Sequence, residues 1–467
     1  FRNMERIARI FIFCISFSWA FGSTSAQTSF MVGSTEVSVN VMASDLVVPW
    51  DLVLGPDGFI WFTQVGGEVY RMDPANGALQ LVYTETDVVE FGYSAGMHSM
   101  AFHPDFANEP YVYLHYTNST STSVIRRYLY DDVDHTMTET GGHLLSMPIA
   151  AGASHNGSRI IIDSSGMFLI CLGETINASA SAQDPNTSHG KILRFTPDGS
   201  IPADNPVAGS YVYNWGHRNP QGMVLAPNGI IYNAAHGQNN DDEVNIVLPN
   251  RNNGWPTVLG LCNTPTEVSY CTANNVVEPI HEFTTEVVAP CGMDYFDHPS
   301  IPGWQNSLLV ATLRGKEIRQ LQLNLAGDAV LEDNTFLSQE FGRFRDVLVH
   351  PDGRIFLCTS NRDYIGVPIA ADDRILVLQG NGGSTGVTGP EDQEIHIYPN
   401  PTNAILHIDR TVPVAELSVH ALDGACVLEP VLNTDQLDIS SLTTGLYLVL
   451  IRTKDGRLSR MKVMLHR

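Results

Sequence analysis

Lysine is nearly absent from this chain: only Lys191, Lys316, Lys454 and Lys462 occur, and the other 22 of its 26 basic residues are arginine. Charge of either sign is scarce at 16%, against about 25% in ordinary globular proteins. Positive charge is scarcer still, with 26 basic residues against 50 acidic ones and a net charge of −24. Nucleic acid is therefore excluded as a partner, and an anionic membrane surface with it, because phosphate binding needs concentrated Lys and Arg. No Cys-x-x-Cys pair occurs, which argues against a cysteine-rich zinc site. Beyond the first residues no apolar run is long enough to cross a bilayer. From about residue 44 to 379 the spacing of apolar residues shows almost no helical period. What remains is short apolar runs, punctuated by 39 glycines and 26 prolines, which is the composition of a turn-rich all-β chain.

The N-terminus reads as an address. Met4 is taken as the start, with Phe1–Asn3 as upstream translation. Arg6 and Arg9 precede the apolar run Ile10–Phe21, and Thr24-Ser25-Ala26 offers small residues for cleavage before Gln27. Residues 1–26 are thus expected to be a secretory signal peptide, too short in its apolar part to be an anchor. Six cysteines follow it, in a compartment where pairing is allowed. Cys262 and Cys271 flank a short polar segment and are the expected disulfide; Cys171 and Cys358 sit in apolar strand-like runs and read as buried free thiols.

One unit recurs through the middle of the chain: a turn rich in Pro, Asp, Asn and Gly, followed by a strand. It occurs at Gly55-Pro-Asp-Gly58, His103-Pro-Asp-Phe106, Asp163-Ser-Ser-Gly166, Ala226-Pro-Asn-Gly229, Pro302-Gly303-Trp304 and His350-Pro-Asp-Gly353. Six such units at near-regular spacing are the signature of a radial β repeat. The expected fold is all-β, a six-bladed β-propeller over residues 44–379, with an array of β-sandwiches as the rival arrangement. Trp61, Phe62, Tyr111 and Tyr113 are expected in its core. A Gly-rich linker over 380–393 follows, then a small C-terminal β-sandwich over 394–467.

The densest polar clusters are Gly216-His217-Arg218-Asn219-Pro220-Gln221-Gly222, then His236-Gly237-Gln238 running into Asp241-Asp242-Glu243-Val244-Asn245, then Asn253-Gly254-Trp255-Pro256. His155-Asn156-Gly157-Ser158-Arg159 lies upstream and Arg343-Phe344-Arg345-Asp346 downstream. On pattern alone His155 reads first as a turn or core histidine. Asp241-Asp242-Glu243 suits a solvated loop better than a metal cluster. Arg343 and Arg345 alternate on a strand and so share a face, which invites an anion or simply faces water.

As a set, these motifs resemble the soluble glucose/sorbosone dehydrogenases, six-bladed propellers that use pyrroloquinoline quinone (PQQ) and Ca²⁺. The resemblance runs from about Pro49 to Leu378. It implies His155 as the base and Arg218 as the group beside the quinone oxygen. It implies Asn219, Gln221, His236, Arg314, Arg343 and Arg345 as cofactor-binding, Gly237 and Gln238 as calcium ligands through their carbonyls, and Asp242 as a substrate contact. His217 is expected to pack behind Arg218. Ser94 stands where the family usually carries Gln or Glu, Ser154 where its glucose-oxidising members carry Asp, and Cys291 where a small hydroxyl residue is common. The implied substrate is a sugar or other alcohol rather than glucose in particular, with an external electron acceptor. A non-catalytic surface propeller binding carbohydrate or a protein partner is the alternative; a calcium-dependent lactonase lacks the expected spread of metal-binding side chains. The tail, with Ile397-Tyr-Pro-Asn-Pro-Thr402 and Leu437-Asp-Ile-Ser-Ser-Leu-Thr-Thr-Gly-Leu-Tyr-Leu448, resembles the C-terminal sorting domain of the type IX secretion system. That resemblance implies export to the cell surface or beyond by that machinery.

Overall fold

A computed structural model describes residues 28–381, except 93, 150–153, 176–178 and 285, and in the tail 397–399, 402–408, 414–420, 426–432, 434, 436–453 and 458–465. The expected signal peptide and most of the expected linker lie outside the described residues.

Six antiparallel sheets form the main body. Blade 1 is Pro49–Leu54, Ile60–Gln64, Glu68–Met72 and Leu79–Thr84. Blade 2 is Met97–Phe102, Tyr111–Ser119, Thr122–Asp131 and Thr136–Pro148. Blade 3 is Arg159–Ile162, Phe168–Leu172, Lys191–Phe195 and Val212–Trp215. Blade 4 is Asn219–Leu225, Ile231–His236, Asp242–Ile246 and His281–Phe283. Blade 5 is Pro290–Phe296, Ser307–Thr312, Ile318–Leu323 and Val330–Phe336. Blade 6 is Phe344–Val349, Ile355–Thr359 and Ile375–Asn381, completed on its outer side by Thr35–Ala43 and Thr28–Val32.

The first strand of each blade lies against the first strand of the next, and that of blade 6 against that of blade 1. The ring is closed, and the closure is made by chemistry from both ends of the segment. Thr35–Ala43 pairs along Ile375–Asn381, from Glu36 opposite Asn381 to Ala43 opposite Ile375. The body thus takes in Thr28–Ala43, ahead of the expected start at residue 44. A strand that pairs with a partner more than 300 residues away carries no local mark of that partner.

All six recurrent turns fall in one structural place, between the first and second strands of their blades. Gly58, Gly166, Gly229 and Gly353 adopt φ between 79° and 86°, the left-handed conformation that side chains resist. Between the blades, alternate strand residues interdigitate as apolar layers, and Trp61, Phe62 and Tyr113 are fully buried there. Tyr111 is half-buried at the edge of the same packing.

The α-helix Pro265–Asn274 was not expected. It buries none of its residues, so it has no apolar stripe to betray it. Its mark is instead a capping box, with Thr264 and Glu267 bonding each other's backbone N–H and Pro265 opening the helix. Cys262 and Cys271 are joined across its start, while Cys171, Cys291 and Cys358 are free and buried.

In the tail, one sheet of three strands (Ile397–Tyr398, Ile405–Ile408, Gln436–Asp438) and one of four (Cys426–Leu432, Val414–His420, Gly445–Thr453, Leu458–Leu465) share one apolar core that includes Leu406, Leu437, Leu417 and Val449. Two sheets over one core make a small sandwich.

Candidate active site

The recurrent turns occupy one end of the ring. The other end is built by the loops that enter each first strand and by those joining second to third strands. They enclose a cavity of about 700 Å³. Ser154 and His155 reach it from the entry to blade 3, Arg218 and Asn219 from the entry to blade 4, and Arg343 and Arg345 from the entry to blade 6. Gly237, Gln238, Arg314 and Asp363 come from the second-to-third-strand loops of blades 4, 5 and 6. Gln221, His236 and Asp242 complete the set, so every residue that the sequence nominated for the site borders this one space.

His155 has φ of 61°, a left-handed conformation that non-glycine residues hold only when neighbours enforce it. The neighbours are identifiable. Asn156 Nδ2 donates to the Ser94 carbonyl at 2.9 Å, and Gly157 N donates to Asn219 Oδ1 at 3.1 Å. The His155 carbonyl lies so near Gly173 that a Cβ there would sit 1.9 Å from it, which makes glycine the one residue that fits. The His155 ring turns its Nδ1 to Glu174 Oε1 at 3.1 Å. A carboxylate only accepts, so Nδ1 carries the hydrogen, and in the neutral form of the ring the lone pair is on Nε2. Burial works against the Glu174 charge, but hydrogen bonds from His155 and Ser179, with the charges of His155 and Arg218, outweigh it and hold the carboxyl below its usual range. The result is a carboxylate–imidazole pair, in which the carboxylate orients the ring and stabilises any positive charge it takes up.

Arg218 donates to the Gly237 carbonyl and lies 5.5 Å from the centre of the Trp255 ring. His236 meets Asn219 Nδ2 through Nδ1 at 3.2 Å, and burial, with the charges of His155, Arg218 and Arg345, pushes it down to about 3. It is neutral at any ordinary pH. His217, one residue before Arg218, is fully buried against Asn214 as packing.

Arg343 and Arg345 do face one side, with Phe344 between them in the core. Both reach Asp363 Oδ2, at 2.8 and 3.1 Å. Arg345 also bonds Ser360 Oγ and, at 3.4 Å, Gln221 Oε1. Two guanidinium groups thus share one carboxylate. With Arg218, Arg314 and Lys316, five basic side chains border the cavity against two acidic ones, Asp242 and Asp363. In a chain of net charge −24 this is a local reversal of sign, and it defines an anion-binding space.

Asp242, expected as a substrate contact, borders the cavity and also has a structural task. It is buried; Oδ1 accepts from Gly237 N at 2.9 Å, and Oδ2 from Val288 N and Ala289 N at 2.8 and 2.7 Å. These are charge-assisted bonds to the backbone, and they pin the loops of blades 4 and 5 around the cavity. Asp241 and Glu243 do not border the cavity, and among the described residues no cluster of His, Cys, Asp and Glu suits a metal ion. The Gly237 carbonyl, expected as a calcium ligand, accepts from Arg218.

Three residues of this site had no mark in the sequence: Glu174, Asp363 and Lys316. Glu174 follows the second strand of blade 3 and Asp363 the second strand of blade 6, and the pairing of first and second strands within each blade sets them beside His155 and the arginine pair.

Fold and site together define a six-bladed propeller with a basic, histidine-bearing cavity at the loop end of its ring. The model of the glucose/sorbosone dehydrogenase family matches residues 46–365, and the chain belongs to that family and with it to the oxidoreductases. Quinoprotein glucose dehydrogenase B of Acinetobacter calcoaceticus is 28% identical over 400 residues, covering 68% of this chain and 83% of the relative. Aldose sugar dehydrogenase YliI of Escherichia coli (strain K12) is 30% identical over 339 residues, covering 69% and 90%. The solved PQQ-bound aldose sugar dehydrogenase of Streptomyces coelicolor superposes with a TM-score of 0.64 at 30% identity, over 74% of this chain and 98% of that one. Residues 396–465 match the model of the secretion system C-terminal sorting domain, so the chain carries the signal for type IX secretion to the cell surface or exterior.

Proposed function

We propose that the protein is an exported quinoprotein dehydrogenase that oxidises a sugar or other alcohol by base-assisted hydride transfer to PQQ. The observation that carries this reading is the pairing of His155 with Glu174 inside a cavity bordered by five basic side chains. When bound, PQQ supplies the acceptor for the hydride. The residues fit such a group: PQQ is a tricarboxylate, and Arg343 and Arg345 hold planar donor forks in a wall where one shared carboxylate leaves positive charge unmatched. Arg314, Lys316, Asn219 and Gln221 border the rest of that space.

His155 Nε2 takes the proton of the reacting hydroxyl, while Glu174 holds Nδ1–H and stabilises the imidazolium that forms. Arg218 faces the same space and meets negative charge as it develops. Ca²⁺ would lie against the carbonyls of Gly237 and Gln238, in competition with the Arg218 side chain for the first of them. Asp242 fixes the loop that presents both. The segment 1–26 would direct export, with an external acceptor re-oxidising the enzyme.

The test is an absorbance titration of the purified apo-protein with PQQ in the presence of Ca²⁺, for the natural chain and for Arg343→Ala. Saturable binding weakened by the substitution, followed by turnover of a sugar with a dye acceptor, is the expected result. No binding at micromolar PQQ would sink this reading and favour a surface propeller that binds without catalysis.

A further inference from the structure

Lysine is scarce in this chain, yet one of its four lysines is wholly buried. Lys191 opens the third strand of blade 3, at the active-site end of the ring. Its Nζ donates to three carbonyls, those of Ser181 at 2.8 Å, Ala182 at 2.9 Å and His189 at 2.8 Å. An ammonium has three hydrogens and a neutral amine has two, so three acceptors call for the charged form. Burial pushes the group down to about 7, against the charge of Asp184, and the three carbonyl bonds favour the charge that burial opposes. His217 nearby is pushed down to about 3 by burial and by the charge of Lys191, so it adds no second charge. Arginine supplies 22 of the 26 basic residues, but its planar fork cannot aim three N–H groups at a tripod of oxygens. Carbonyl oxygens gathered round one positive centre are the surroundings of a bound monovalent cation. Here the chain's own side chain fills them.

Two of the three carbonyls belong to the short turn Ser179–Gln183, and this turn holds both halves of the catalytic apparatus. Ser179 bonds the Glu174 carboxylate, which in turn holds the His155 ring. The Ala182 carbonyl accepts from Gly216 N at 3.2 Å as well as from Lys191. Gln183 Nε2 donates to the Trp255 carbonyl at 2.6 Å, and the Trp255 ring lies beside Arg218. Gly190, just before the lysine, donates to the Gly173 carbonyl at 3.0 Å and accepts from His217 N at 3.2 Å. His155 enters blade 3 and Arg218 enters blade 4, and the segment that Lys191 ties down reaches both. Lys191 itself does not border the active-site cavity, so it acts through these residues and not on the substrate.

We infer that Lys191 is a positioning residue for the reaction: its ammonium is a built-in cation that ties the turn Ser179–Gln183 to the sheet, and so fixes Glu174 behind His155 and the approach to Arg218. The inference rests on the sugar-oxidising reading above for the reaction, but not for the cation.

The experiment uses the full chain with Lys191→Met, which fills the space without charge, and with Lys191→Ala, which empties it. Each is measured in potassium, ammonium and lithium chloride at equal ionic strength. Melting of the apo-protein, PQQ binding by absorbance, and kcat and KM for glucose in the presence of PQQ and Ca²⁺ are followed separately. Lys191→Met should lower kcat about 10-fold to 100-fold, with KM and PQQ affinity little changed, because the reacting groups are misplaced and not removed. Lys191→Ala should melt higher in potassium or ammonium than in lithium and recover at least about tenfold in kcat there, as the ion takes the place of the lost ammonium. The natural chain should not distinguish the salts. A Lys191→Met kcat within threefold of the natural chain would overturn the inference, as would a Lys191→Ala variant that responds alike to all three salts or folds in none of them. If the natural chain oxidises no sugar, the sugar-oxidising reading fails by itself. Melting of Lys191→Ala then decides the cation: a rise in potassium or ammonium supports it, and no rise overturns it.

Discussion

Replacing Glu174 by glutamine removes one charge and keeps the size of the side chain. In the structure the carboxylate sits 3.1 Å from His155 Nδ1, with the side chain almost wholly buried. When His155 takes the substrate proton, the pair becomes an ion pair with charge centres about 4 Å apart, worth about 4 kcal/mol at an effective dielectric constant of 20. Arg218 also bears on Glu174 and offsets part of this, so about 2 kcal/mol is the lower bound. The step that consumes the proton should slow by roughly 30-fold to 1,000-fold. Glutamine can also offer its amide N–H to Nδ1, which would place the ring hydrogen on Nε2, the nitrogen that must accept. Both effects point the same way. The assay is a single-turnover measurement of substrate oxidation in the PQQ-loaded enzyme, followed by absorbance, with PQQ binding measured separately. Cofactor binding should change little. Glu174 also has a stability signature. Its carboxyl lies below the usual range in the folded state, so its contribution is present above the unfolded value and is lost as pH falls through the folded one, in the region below roughly pH 4. The stability gap between the natural chain and Glu174→Gln should therefore close in acid. A rate within threefold of the natural enzyme, with cofactor bound normally, would refute the reasoning. So would a loss of rate matched by loss of PQQ binding, which would mark Glu174 as a prop for the loop alone.

Three further outcomes follow from named contacts. Arg345→Ala should weaken PQQ binding by at least about tenfold, since a charge-assisted hydrogen bond contributes about 1.5–3 kcal/mol, and Arg345→Lys should restore only part of it because the planar fork is lost; titration by absorbance checks both. Asp242→Ala leaves three backbone N–H groups, that of Val288 buried, without their acceptor, so the unfolding free energy should drop by about 2–4 kcal/mol; unchanged melting with a raised substrate KM would instead mark Asp242 as a substrate contact alone. Asp51 acts in the opposite sense to Glu174. Burial pushes it up to about 7, against the pull of Arg159 and with the push of Asp346, so its contribution is present below the unfolded value near 4 and is lost as pH rises towards 7. Melting curves of Asp51→Asn should gain on the natural chain between pH 5 and pH 8; a difference that does not vary with pH would count against this.

Much of this architecture is legible in local sequence because each blade repeats the same local problem. Gly58, Gly166, Gly229 and Gly353 mark the tight return of a hairpin, and the apolar run beside each marks one buried strand; those signals need no partner to be read. The glycine-bounded polar run Gly216–Gly222 was equally readable as a cluster of Arg, Asn and Gln, although from Asn219 onward it is the first strand of blade 4. The helix Pro265–Asn274 was passed over because its signal is a cap and not a stripe. The backbone-binding task of Asp242 was not legible, because a carboxylate that binds backbone N–H and one that binds a ligand look alike in a sequence. Their difference lies in which amides the fold brings within 3 Å.

The sequence by itself determined the repeat number, the strand-and-turn grammar of the blades, the scarcity of basic residues and the few places where arginine gathers. These are properties of neighbours along the chain. Only the tertiary structure decided that Thr28–Ala43 would close the sixth blade, that Glu174 would stand behind His155, and that Asp363 would lie between Arg343 and Arg345. The first joins segments more than 300 residues apart, and ring closure does that through the burial of interblade apolar layers, a force that has no regard for sequence separation. The other two depend on the register in which the first and second strands of one blade pair.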